Sequence, residues 1–453
     1  MALLTGTGGA GAPDGVSPSG AALARAFADE WGRVVAMLVR ITGDWALAED
    51  AAQDAFASAA ARWERDGVPD RPGAWLTTAA RNAALDRIRR DASQRRRLTD
   101  HAVLARGRGA GTEPLADVEE EGDEVFDDRL RLVVTCCHPA LPLDARVALT
   151  LRTLCGLTVE DIARAFGTTE AAMAKRLVRA RQKIAHARIP YRVPRGPELG
   201  GRLPGVLAVL YLLFTEGYAP TSGDAVVRGE LTGEAVRLTR VLAELVPDEP
   251  EVHGLLALEL LHDSRRAARQ TPDGDVVPLD EQDRSLWDAG LVREGIAVLA
   301  VARTLDQPVG PYALQAEIAA CHATAATPAA TDTRRVAVLY DALARILPTP
   351  HVRLARAMAF AAADGPAAGL ALLPGLAEEL SESLLLAAAE ADLERRAGRA
   401  DRAADAYRRA LALVPRGPTR RFLERRLAEV AAGLPAADAV RPATPAPPPP
   451  ARS

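Results

Sequence analysis

Leu157-Thr-Val-Glu-Asp-Ile-Ala-Arg-Ala-Phe-Gly-Thr-Thr-Glu-Ala-Ala-Met-Ala-Lys-Arg-Leu, residues 157–177, decides how the chain is read. Ala163, Gly167 and Met173 stand at helix-turn-helix spacing: a small residue where two helices cross, a glycine for the turn and an apolar residue pinning the second helix. Thr168 or Thr169 can cap that second helix. Farther along, Met173, Leu177, Ala180 and Ile184 recur at i, i+4, i+7 and i+11, which predicts a buried stripe. The opposite side carries Ala172, Lys175, Arg176 and Arg179, with Thr168, Thr169 and Glu170 at its start. Short and basic side chains there suit a helix in the major groove, its first turn against base edges and its later cations against phosphates. A solvated basic face on an ordinary helical hairpin is the alternative.

Working outward, Arg164 to Arg192 sets eight Lys or Arg against the single acid Glu170, and Arg71 to Arg97 sets eight Arg against Asp86 and Asp91, in a chain of formal net charge -4. Two basic concentrations in a slightly acidic protein point to a polyanion touched twice, with double-stranded DNA the natural candidate. In Trp75-Leu-Thr-Thr-Ala-Ala-Arg-Asn-Ala-Ala-Leu-Asp-Arg-Ile-Arg-Arg, helical rotation brings Trp75, Asn82, Asp86 and Arg89 into a narrow arc. Indole can stack on an unpaired base and Asn can hydrogen-bond its edge. A tryptophan packed into the core is the competing account. Farther upstream, Gly43-Asp-Trp-Ala-Leu-Ala-Glu-Asp-Ala-Ala-Gln-Asp-Ala-Phe predicts an acidic helix with Ala48, Ala52, Ala55 and Phe56 inward and Glu49, Asp50, Gln53 and Asp54 outward. Those acids would repel phosphate, so a basic protein surface is the better partner.

The 453 residues suit about three domains of roughly 150 residues, large enough for cores without covalent staples. Cys136, Cys137, Cys155 and Cys321 form no C-x-x-C pair, which fits a reducing cytosol. His138 beside Cys136 and Cys137 invites a metal or redox reading, but vicinal Cys following Leu132, Val133 and Val134 pack more naturally as small hydrophobes. The Gly-, Ala-, Ser- and Pro-rich first twenty residues do not read as a signal peptide. The apolar run Leu203 to Phe214 falls short of the roughly 20 residues a spanning helix requires. A cytoplasmic location is expected. Aromatics make up 4% of the chain and β-branched alternation is scarce, so an all-α fold is expected. No Gly-rich phosphate loop after a strand, H-E-x-x-H or G-x-S-x-G elbow occurs, and neither enzyme chemistry, a cofactor nor a metal site is expected.

Along the chain, residues 1–20 read as a disordered N-terminus, 21–92 as a first helical module and 93–124 as a flexible acidic linker. Residues 125–189 form the helix-turn-helix module, which Pro190, Pro194 and Pro197 close. Residues 190–434 read as helices with short Gly/Pro connections, and 435–453 as a disordered Pro/Ala-rich tail. Leu386 to Pro415 resembles a tetratricopeptide pair, with Ala391, Ala403 and Ala410 at the close approach and Tyr407 as the bulky plug.

The order of these motifs resembles a sigma-70-type RNA polymerase sigma factor of the extracytoplasmic-function class, which keeps only the second and fourth sigma regions. The likeness covers about Ala21 to Arg188. It implies that Asp44, Glu49, Asp50, Gln53, Asp54 and Phe56 contact core RNA polymerase. It implies that Trp75, Thr78, Arg81, Asn82, Asp86, Arg87, Arg89 and Arg90 melt and read the minus-ten element. Thr168, Thr169, Glu170, Ala172, Lys175, Arg176 and Arg179 would read the minus-thirty-five element. The implied partners are core polymerase, double-stranded promoter DNA and the melted non-template strand. Asp54 departs from the Glu common at its place, and the long linker leaves the spacing of the two DNA contacts open. Leu210-Tyr-Leu-Leu-Phe-Thr-Glu-Gly-Tyr and Leu279-Asp-Glu-Gln-Asp-Arg-Ser-Leu-Trp-Asp look like hallmark segments of the tetratricopeptide-like extension found on one subgroup. The likeness implies a regulatory role there, with a protein or ligand as partner. A free-standing helix-turn-helix regulator and a helical adaptor with a ligand-binding solenoid are the rival readings.

Overall fold

Alanine and unbranched side chains dominate the periodic segments, and the chain folds as helices joined by short turns. The structure, a computed structural model, describes residues 18–105, 128–166, 168–187, 189, 191–194, 197–219, 229–381, 383–414 and 417–433. Among them the extended pairing is a single bridge between Gln270 and Val276. No described helix is long and apolar enough to cross a membrane. The expected all-α class holds. The N-terminus before Pro18, residues 106–127, Gly167, Pro190, Pro415 and the tail after Gly433 lie outside the described residues.

Described residues up to Leu245 form one compact unit and those from Val246 a second. The first opens with α1 (Pro18–Thr42), α2 (Trp45–Asp66) and α3 (Pro72–Ala105). Helix α3 continues past Asp91 through the segment expected to begin the linker, because Gln94 to Ala105 contains helix formers and no Gly or Pro. Helices α4 (Asp128–Cys136), α5 (Leu143–Thr153), α6 (Val159–Ala165) and α7 (Glu170–His186) follow. Cys136 and Cys137 are fully buried, and burial pushes the Cys136 thiol up to about 12.

These two helical groups pack directly together. Helix α1 lies on α4 and α5, and an added Cβ at Gly32 would stand 2.5 Å from the Leu154 carbonyl oxygen. Gly156 has φ +66 and a Cβ there would meet the Phe27 ring at 2.8 Å, so both backbone conformation and space demand glycine. Phe27 in turn stacks on Trp31 at 4.9 Å and meets Phe56 edge-on at 5.1 Å. The Tyr191 hydroxyl lies 3.0 Å from the carbonyl oxygens of both Ala36 and Asp128, joining α1 to the start of α4.

The same unit takes in α8 (Pro197–Gly200), α9 (Leu203–Tyr218) and α10 (Gly229–Leu245). Helix α9 packs on α5 and α10 on α4, with Arg129 donating to Glu234 at 2.7 Å. Gly217, in the first hallmark segment, is where α9 crosses α10: a Cβ would stand 2.6 Å from the Thr232 backbone nitrogen.

The second unit runs α11 (Pro250–Asp263), α12 (Ala289–Thr304), α13 (Pro311–Thr324), α14 (Thr333–Ile346), α15 (Pro350–Asp364), α16 (Pro366–Leu370), α17 (Leu384–Arg396), α18 (Ala400–Leu413) and α19 (Pro418–Ala431). Each helix packs on its neighbours in chain order, as a solenoid requires. In the pair α17–α18, Ala391, Ala403 and Ala410 are fully buried and Tyr407 is 2% exposed, the arrangement expected of a tetratricopeptide-like unit.

Candidate functional site

Helix α7 has the two faces its sequence predicts. Thr169 caps it, its side chain accepting from the Ala172 N–H at 3.3 Å. Met173, Leu177, Ala180 and Ile184 are buried, while Glu170, Ala172, Lys175 and Arg179 are exposed on the other side. Arg176 is different. Its guanidinium lies 3.1 Å from the Asp144 carboxylate and 5.7 Å above the Phe166 ring, bracing α7 against α5 and against the residue after α6. Thr168 is half-buried, and its N–H donates to the Ala163 carbonyl at 2.9 Å.

On α3, Thr78, Arg81, Asn82, Asp86, Arg89 and Arg90 are exposed. Trp75 is half-buried, edge-on to Trp63 at 5.8 Å, so this indole belongs partly to the core and partly to the surface. Arg89 lies 3.5 Å from Asp86, and Arg90 Nε donates to the Asp86 carbonyl at 3.2 Å. Arg87 turns toward α2 and reaches Asp50 and Asp54, each at 3.4 Å. It therefore tempers the acidic face of α2 as well as adding to the basic face of α3.

Helix α2 departs most from expectation. Asp44 is its N-cap, accepting from the Ala46 and Leu47 N–H groups at 2.9 and 3.1 Å. Ala48, Ala52, Ala55 and Phe56 face the core as expected, while Asp50 and Asp54 are exposed and Gln53 half-buried. Glu49, expected to face outward, is 4% exposed. The reason is long-range: Arg181 of α7 donates to its Oε1 at 2.5 Å, and Arg152 of α5 lies 3.6 Å from Oε2. Burial raises the Glu49 carboxyl above its ordinary range, and the two guanidiniums oppose that rise. Carboxylate desolvation is expensive and is tolerated because two cations share it.

Arg152 and Arg181 were not among the candidates from sequence. Arg181 carried a faint signal, since it follows the buried Ala180 and sits four residues after Leu177, at the rim of the apolar stripe rather than on the exposed arc. Its partner, 132 residues away, could not be read from any local pattern.

Residues 28–94 match the family Sigma-70 region 2, residues 131–184 match Sigma-70, region 4, and residues 202–303 match a family of unknown function (DUF6596). The chain is 40% identical over 395 residues to an uncharacterized protein of Rhizobium meliloti, covering 87% of this chain and 92% of that one. It is 30% identical over 160 residues to the RNA polymerase sigma-H factor of Pseudomonas aeruginosa, covering 35% of this chain and 81% of the relative. Against the ECF RNA polymerase sigma factor SigJ of Mycobacterium tuberculosis it is 32% identical over 155 residues, 33% of this chain and 46% of the relative. No solved structure matches.

Proposed function

Because the chain belongs to the extracytoplasmic-function class of sigma-70-type RNA polymerase sigma factors and carries a C-terminal extension, we propose how its surfaces divide the work. The protein is an RNA polymerase sigma factor that directs promoter recognition, and its partners are core polymerase and promoter DNA. We assign minus-thirty-five reading to Thr169, Glu170, Ala172, Lys175 and Arg179, with Thr168 at the turn and Arg176 as the brace that orients α7. We assign minus-ten melting and reading to the α3 face of Trp75, Thr78, Arg81, Asn82, Asp86, Arg89 and Arg90, with Arg87 bridging to α2. A base leaving the duplex costs a few kcal/mol, which stacking and hydrogen bonds at such a face can offset. Core polymerase docks on Asp50, Gln53 and Asp54, with Asp44 and Phe56 shaping α2 beneath them.

The observation that carries the reading is the exposed Ala172, Lys175, Arg179 face directly opposite a fully formed buried stripe. It leaves a short, basic helix face ready for a groove. Burial of Glu49 under α5 and α7 supports a resting state in which part of the polymerase-binding helix is covered. We assign the extension the task of biasing that state.

Purified protein is mixed with core RNA polymerase lacking any sigma factor, and co-elution and transcription start sites on genomic DNA fragments are measured. Specific initiation at a shared promoter motif is expected. If neither the full chain nor its first unit binds core, the free-standing regulator replaces this reading.

A further inference from the structure

Between α11, α13 and α14 the second unit holds a cavity of about 140 Å³ that the promoter and polymerase assignments leave unused. Native cores fill such space with side chains, and a void of this size accepts a ring-sized molecule. Its walls are mixed in character. Leu261, Leu279 and Ile318 supply apolar surface, and Arg265, Trp287 and His322 supply polar groups. No Asp or Glu is among its lining residues.

The polar side is built for an acceptor. Arg265 Nη2 lies 2.8 Å from His262 Nδ1. Burial and the neighbouring guanidiniums hold His262 well below its ordinary range, so the ring is neutral and its Nδ1 accepts from Arg265. The charged groups acting on His322 are likewise two guanidiniums, Arg265 and Arg284. The Trp287 indole forms part of the same wall, with its nitrogen buried rather than open to the cavity.

The wall carrying Trp287 is braced from both sides. Arg284 stacks over its ring at 4.8 Å and donates to the His322 and Ala325 carbonyls at 2.6 and 2.5 Å, fastening the loop to the end of α13. From α19, Arg421 pairs with Asp275 at 2.5 Å and Arg426 pairs with Glu281. A cavity framed this firmly is preformed rather than induced.

We propose that this cavity binds a compact organic carboxylate, its acid group toward Arg265 and its aromatic or branched body against Leu261, Leu279 and Ile318. One guanidinium matches a single negative charge, and the apolar wall favours a carboxylate with a hydrocarbon body over inorganic phosphate. The regulatory meaning of the site rests on the reading of the extension given above, whereas binding itself does not.

The test uses the full chain with benzoate as probe, and benzamide and inorganic phosphate as comparisons. Titration calorimetry measures affinity, and fluorine NMR on 5-fluorotryptophan protein locates the ligand. Of the five tryptophans, Trp287 alone belongs to the second unit. Benzoate is expected to bind with Kd below about 1 mM, benzamide about tenfold or more weaker, and the Trp287 resonance alone to shift. Arg265→Met should weaken benzoate about tenfold or more. Ala319→Leu, which narrows the cavity while leaving Arg265 in place, should do the same with its melting transition intact. No benzoate binding, equal binding of benzamide, tighter phosphate binding, or a shift confined to other tryptophans overturns the proposal. Benzoate binding with unchanged promoter output leaves the site standing and removes its regulatory use. Benzoate binding by a chain that fails to engage core polymerase leaves the site standing and removes the sigma assignment.

Discussion

Glu49 shows how one carboxylate can be misread when its partners are distant in sequence. Helical rotation puts it beside Asp50 on the acidic side of α2, yet Arg152 and Arg181 draw it into the interior. Arg181→Ala should therefore destabilise the first unit by about 1–3 kcal/mol, less than the 3–5 of a buried pair broken outright because Arg152 remains. Denaturant unfolding measures this, and a change near zero would mean the contact is not sustained in solution. The reverse case is His322, a base whose folded value falls from 6.5 to about 4 because burial, then Arg265 and Arg284, disfavour its charged form. Between those values the unfolded chain takes up a proton that the folded chain refuses. Stability is thus full above the ordinary histidine value and is lost as pH falls through the window, by up to about 3 kcal/mol for a shift of this size. Urea midpoints at pH 7 and pH 5 should separate clearly in the native chain and by a smaller interval in His322→Gln. His262, shifted the same way and facing Arg265 and Arg269, leaves a residual slope.

At the scale of the element, α7 was the most legible part of the chain. Its cap, stripe and exposed face all follow from residues three and four apart, and Thr169, Met173, Leu177, Ala180 and Ile184 occupy the predicted places. Arg176 was less legible, because Asp144 and Phe166 come from outside the helix. The roles within α7 therefore separate. Lys175→Ala should weaken promoter binding across sequences and reduce the magnitude of the salt slope by about one, as for a lost phosphate contact. Arg179→Ala should cost about 1–3 kcal/mol on the cognate promoter alone if it meets a base edge. Quantitative footprinting with polymerase holoenzyme at several salt concentrations distinguishes them, and identical salt slopes in all variants would take Lys175 off the DNA. Helix α3 divides similarly: the exposed arc was readable from periodicity, but the turn of Arg87 toward Asp50 and Asp54 depends on how α2 and α3 pack.

For the whole molecule, local sequence signals marked Pro190, Pro194 and Pro197 as a break, whereas the compact first unit continues to Leu245. Prolines end helices without ending burial. Val206 and Leu210 are fully buried and Leu213 is 1% exposed on α9, which packs on α5, while Glu234 of α10 receives the Arg129 hydrogen bond. Periodicity could identify these helices but could not say which neighbours they cover, because that choice is made by contacts such as Gly205 beside Arg146 and Gly217 beside Thr232. Cutting after Arg195 removes α9 and α10 and bares the apolar surface of α4 and α5, at about 1.5–3 kcal/mol for each Leu-sized side chain returned to water. Cutting after Leu245 leaves that surface covered. The shorter fragment should therefore melt earlier or aggregate, and the longer one should unfold cooperatively and bind core polymerase. Calorimetry of both fragments, followed by co-elution with core, decides the matter. Equal stability would show that α9 and α10 are dispensable to the sigma modules. A lower melting point for the shorter fragment would mean that a loss of activity after cutting at Arg195 reports unfolding, so the effect of the extension on transcription has to be measured from the cut at Leu245.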